Sequence, residues 1–137
     1  MVKVGECSFI FLLAACAPQD KEKRGYCSHL IAQLEQAAKS YEIDYAVYPP
    51  SGNATLVKAL TTKGPKKFPY FEFAKDMLGE KGEALDPWGR PLVYYNNVDK
   101  SAPKEWTPHH KASFDLYSFG PDGKNDQGKG DDVSNWE

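Results

Sequence analysis

Between Lys23 and Tyr45 the apolar positions Tyr26, Leu30, Leu34, Ala37 and Tyr41 recur every three or four residues, and Ile31 and Ala38 broaden the stripe. That period predicts an amphipathic helix with one face committed to a core. Tyr48-Pro49-Pro50 then ends it, because proline lacks the amide hydrogen a helix needs and pushes its predecessor to extended geometry. Leu56, Val57 and Leu60 share one face of a shorter helix predicted over residues 54–62. Residues 61–69, with three lysines, a glycine and two prolines, read as loop. Phe71 to Leu78 has room for one or two helical turns, closed by Gly79 and Gly82.

The period then changes. Asp86-Pro87-Trp88-Gly89-Arg90-Pro91 is a turn sequence, with proline presetting one dihedral and glycine permitting another. Leu92 to Tyr95 and Phe114 to Phe119 are aromatic and branched, and both are predicted strands. In the second, Phe114, Leu116 and Ser118 face one way and Asp115, Tyr117 and Phe119 the other. A long polar connection, 96–111, joins them. A helix followed by loops and then strands, without βαβ alternation, gives an α+β class: one long N-terminal helix packed on a small antiparallel β-sheet.

Ahead of this, Ser8 to Ala17 is the one strongly apolar run. It is too short for a bilayer, which needs about 20 residues, but suits the apolar region of a secretory signal. Leu13-Ala14-Ala15-Cys16 is similar to a bacterial lipobox, in which the cysteine thiol takes a lipid. An ordinary apolar segment that contains Cys16 is the other reading. The chain divides into an apolar signal or anchor segment, 1–22, and a globular domain, 23–137.

Composition narrows the chemistry. The 137 residues, 41% hydrophobic and 13% aromatic, suit one folded domain, and a net charge of -2 gives no reason to expect nucleic acid. Cys7, Cys16 and Cys27 form no CxxC pair, which argues against zinc. His109 and His110 read as part of a solvated loop and receive no role. Trp88 and Trp136 read as packing anchors. No Ser/His/Asp or Cys/His grouping with a local signature occurs, so an enzyme is not expected.

The unusual stretch is Gly120-Pro121-Asp122-Gly123-Lys124-Asn125-Asp126-Gln127-Gly128-Lys129-Gly130-Asp131-Asp132, with four aspartates and four glycines. Carboxylates held this close repel and need a counter-charge. Calcium, a hard cation with flexible oxygen coordination, is one solution. Lys124 and Lys129 are competing neutralisers, and a solvated tail is the third option. An EF-hand starting at Asp122 fails, since Lys124, Gln127 and Val133 stand where its third, sixth and twelfth residues belong. Trp136, just beyond, argues that the loop is pinned at both ends.

Three blocks carry a family resemblance: Asp86 to Tyr95 (DPWGRPLVYY), Phe114 to Lys124 (FDLYSFGPDGK), and Asp131 to Trp136 (DDVSNW). In this order and spacing, and with the Tyr48-Pro49 helix ending, the region from about Leu30 to Trp136 resembles the globular domain of the major pseudopilin of bacterial type II secretion systems. The resemblance implies a type IV pilin-like fold with a C-terminal calcium loop. It places the calcium ligands at the Phe119 carbonyl, the Asp122 carboxylate and a second carboxylate from Asp131, with Asp126 and Asp132 behind it. It further implies a structural subunit on the periplasmic side of the cell envelope. Such a subunit would act in a secretion pseudopilus or related pilus-like assembly, with other pseudopilin subunits or secretion-system proteins as partners. The N-terminus departs from the family pattern, with Glu6-Cys7-Ser8 after Gly5 and a short apolar run. The alternative is therefore a periplasmic lipoprotein binding module, membrane-anchored at Cys16, that keeps a pseudopilin head without the polymerising helix.

Overall fold

In the computed structural model the backbone is described for residues 2–136 and side chains for residues 20–136. Helix α1, Val2–Tyr45, begins well before the predicted Lys23. The helix runs on through Pro18 and Gly25, and the Leu/Ala-rich segment ahead of them has high helical propensity. The side chains of the apolar segment, and any lipid on Cys16, lie outside the described residues. No helix among the described residues is long and apolar enough to cross a membrane.

Helix α1 stops where the prolines require it. Ala46 takes a left-handed φ of 65° and its N–H donates to the Glu42 carbonyl at 2.7 Å, closing the last turn. Tyr70 packs its ring against Tyr41 and Tyr45 and donates its hydroxyl to Asp44 at 2.6 Å. The short helix α2, Asn53–Thr61, turns Leu56, Val57 and Leu60 inward. Its first residue, Asn53, ties it to the segment before the sheet. Asn53 donates to the Ala84 and Leu92 carbonyls at 2.8 and 2.7 Å and accepts the Ala84 N–H at 2.6 Å. Over 71–78 the helical structure shrinks to one 3-10 turn, Lys75–Met77.

The sheet has three antiparallel strands: β1, Val93–Asn96; β2, Phe114–Ser118; and β3, Val133–Ser134. Their order is β1-β2-β3, with Tyr94 opposite Leu116 and Ser118 opposite Val133. The α+β expectation holds, and β3 is an addition. On the core face, Tyr94, Phe114, Leu116 and Val133 meet Leu30, Ile31, Leu34 and Ala38 of α1 and the apolar face of α2. The opposite face is covered as well. Trp106 stacks on Tyr117 with ring centroids 5.5 Å apart, and Trp136 meets both rings edge-on. Every residue of β2 is consequently buried.

Asp115 explains this cover. Its carboxylate, wholly buried, accepts the Trp106 indole N–H and the backbone N–H groups of His109 and His110, each at 2.9 Å. Burial alone would raise its pKa, but these donors and the Asn97 side chain outweigh it and hold the group below the usual carboxylate value. The expectation of a roleless histidine pair is thus corrected. Both backbones bind Asp115, and the His109 ring stacks on Trp136 at 4.0 Å.

Leu34 is completely buried whereas Ile43, on the same helix, is 77% exposed. Leu34→Ala is expected to destabilise the protein by about 2–5 kcal/mol. Ile43→Ala should stay within about 0.5 kcal/mol. Chemical denaturation of both variants checks the assignment of the core face.

Candidate metal centre

Four carboxylates converge after β2. Asp122, Asp126, Asp131 and Asp132 each place one oxygen within 4.8 Å of the others, Asp122 and Asp126 exposed, Asp131 half-buried and Asp132 buried. Phe119 directly follows β2, its ring tilted against Tyr117 at 6.2 Å. All five residues that the sequence nominates therefore lie in one loop, and its aspartates share one site.

The loop is built by local bonds that glycine makes possible. Asp132 accepts the N–H groups of Asp126 and Gly128 on Oδ2, at 3.0 and 2.9 Å. Asp122 accepts the Lys124 N–H at 2.9 Å, and its own N–H donates to Asp131 Oδ2 at 3.2 Å. Gly120 sits at φ 77°, and a Cβ there would lie 2.2 Å from the Asp131 carbonyl oxygen. A Cβ on Gly128 would lie 1.8 Å from the Trp136 ring, so the loop closes directly onto its anchoring tryptophan.

What these bonds leave over matters most. Asp131 Oδ1 and Asp132 Oδ1 are buried and have no hydrogen-bond partner. A buried acceptor without a partner costs about 1–3 kcal/mol, and more when charged. Among the described residues neither Lys124 nor Lys129 forms an ion pair with the cluster, so the lysine explanation finds no support. An all-oxygen donor set on a glycine-rich loop, with two oxygens unpaired, fits a hard divalent cation of the calcium type.

Sequence reasoning missed the arginines. The chain has two, Arg24 and Arg90, and both reach this loop. Arg24 of α1 donates to the Asp131 carbonyl. Arg90 donates to the Gly120 and Pro121 carbonyls at 3.1 and 3.5 Å. Both target backbone oxygens and leave the carboxylates free. The available signal was the choice of arginine twice in a chain otherwise rich in lysine, since a guanidinium fork suits fixed carbonyl arrays better than an ammonium.

Comparison with known proteins places the chain among relatives. Residues 16–136 match the family model for Type II secretion system (T2SS), protein G. The chain is 32% identical over 111 residues to the type II secretion system core protein G of Pseudomonas aeruginosa, a match covering 78% of this chain and 66% of that protein. It is 28% identical over 109 residues to the protein of the same name from Vibrio cholerae, covering 77% and 63%. The match thus spans just under two thirds of the length of these relatives. In fold it is similar to the major pseudopilin from the type 2 secretion system of enterohaemorrhagic Escherichia coli. The TM-score is 0.52 at 23% identity, over 88% of this chain and 91% of that one.

Burial pushes the Asp132 carboxyl up from 3.8 to about 6; the N–H donors of Gly128 and Asp126 oppose this, and the charges of Asp126 and Asp131 add to it. A folded-state pKa above the unfolded one means that the folded chain holds the proton longer. In chelator, the resulting stability is therefore full below about pH 4 and is lost as pH rises through about 6. Denaturation midpoints of the chelated protein between these limits should fall with pH, and Asp132→Asn should flatten that part of the profile.

Proposed function

Because the chain belongs to the protein G family of the type II secretion system, we propose that it is a structural subunit of a secretion pseudopilus or related pilus-like assembly, stabilised by calcium in its C-terminal loop. The observation that supports calcium is the pair of buried carboxylate oxygens, Asp131 Oδ1 and Asp132 Oδ1, left without partners beside Asp122 and Asp126. In this reading the four aspartates hold the ion, with the Phe119 carbonyl as a backbone ligand. A bound calcium supplies positive charge that removes the mutual repulsion of the carboxylates. The role is one of folding and surface shape, without catalysis.

The partners in this reading are other pseudopilin subunits or secretion-system proteins, met on the periplasmic side of the cell envelope. The loop is joined to α1 through Arg24 and to β3 through Asp132 and Val133, so an ordered loop fixes the surface offered to a neighbour. A lipid on Cys16, with a free pseudopilin-like head, is the competing arrangement. The mass of the membrane-extracted protein distinguishes the two.

Thermal unfolding of the full chain in calcium and in chelator tests the metal. Binding to the native state alone adds about 2.7 kcal/mol at a hundredfold excess over Kd. For a domain of this size that raises the midpoint by roughly 5–10 °C. Asp122→Ala should lose most of the shift, and an unchanged midpoint in the wild-type protein would remove calcium from the proposal. Recovery of tagged full chain in sheared filaments, with unmodified Cys16, is the outcome expected of a pseudopilus subunit.

A further inference from the structure

Asp86 contributes no atom to the aspartate cluster, yet it is only 5% exposed and fully engaged. Its Oδ1 accepts the backbone N–H groups of Trp88 and Arg90, both at 2.9 Å, which closes the turn before β1. Its Oδ2 accepts the hydroxyl of Ser118, itself wholly buried, at 2.7 Å. With its hydrogen directed to Asp86, Ser118 Oγ turns its lone pairs to the loop and accepts the Gly120 N–H at 3.0 Å.

Three consecutive peptide units are oriented in this way. The Gly120 N–H lies in the same rigid plane as the Phe119 carbonyl, so holding the one aims the other. The Gly120 carbonyl accepts from Arg90, as does the Pro121 carbonyl, and Asp86 holds the backbone of Arg90. The guanidinium also fills the space beside Gly123, where a Cβ would lie 2.5 Å from its central carbon. Asp122 follows directly on the third of these units.

We propose that Asp86, acting through Ser118 and Arg90, is the positioning residue of the cation site: it fixes the Phe119 carbonyl and the approach of Asp122 without touching the ion. This rests on the calcium reading above. A turn needs only the two Oδ1 bonds. The Oδ2 bond to Ser118, 32 residues away, serves the loop.

Asp86→Asn tests the polarity of the relay. Its amide oxygen can still accept from Trp88 and Arg90, but its NH2 group faces Ser118, and the buried hydroxyl hydrogen loses its acceptor. Ser118→Ala removes the relay while keeping the Asp86 carboxylate. Both variants of the full chain are titrated with calcium by calorimetry, and amide hydrogen exchange at Gly120 is followed in chelator. The expected result is a loss of calcium affinity of about 10- to 100-fold, as for other groups that orient metal ligands. Gly120 should exchange faster, while the chelated unfolding midpoint moves far less than in Leu34→Ala. Calcium affinities within twofold of wild type in both variants overturn the proposal, as does unchanged Gly120 exchange. A wild-type protein that binds no calcium defeats the calcium reading separately. The exchange at Gly120 then decides the orienting role: acceleration supports it and constancy ends it.

Discussion

Strand β2 has no solvent on either face, and the placement of its two buried polar side chains governs the rest of the molecule. A polar group inside a protein must find partners or impose a penalty on the fold. Asp115 finds its donors in the 106–110 segment, which is thereby drawn across the sheet. Ser118 finds Asp86 on one side and Gly120 on the other, and so joins the turn before β1 to the loop after β2. The apolar residues of the strand set which face meets α1. Its polar ones decide how the connections run.

The acidic loop shows the complementary arrangement. Backbone amides, which carry partial positive charge, point at the carboxylates, and guanidinium groups take the carbonyls that would otherwise add negative potential. Peptide dipoles are thus oriented around an anionic centre before any ion arrives. Two oxygens remain beyond the reach of the local donors, at Asp131 and Asp132. Both belong to the aspartate cluster, so an ion there would meet the two together.

The sequence was informative where a side-chain period or composition carried the information. The stripe from Leu30 to Tyr41 identified the core face of α1, although Tyr26, counted with it, is 58% exposed and Cys27 is buried in its stead, and the density of aspartate located the candidate site. Strand β3 escaped because two residues, Val133 and Ser134, show no alternation. The cover over the second face escaped for a different reason. Alternation in β2 set Asp115 on the face opposite Phe114 and Leu116, which is correct, but it carries no sign of the loop that donates three hydrogen bonds to it there. Arg24 and Asp131 are 107 positions apart, and the bond goes to a backbone oxygen, so no local pattern announces it.

The brevity of β3 has a bearing on how the chain is made. Synthesis delivers α1, α2, β1 and β2 before Asp131, Asp132 and the strand that follows them. Until those residues emerge, β2 presents an unpaired edge, and such an edge can recruit a strand from a neighbouring chain. Two residues of strand close that edge beside the indole of Trp136, and the Arg24 contact falls two residues before them. In the folded chain, the protection of the sheet edge and the completion of the oxygen-rich loop rest on the same few residues.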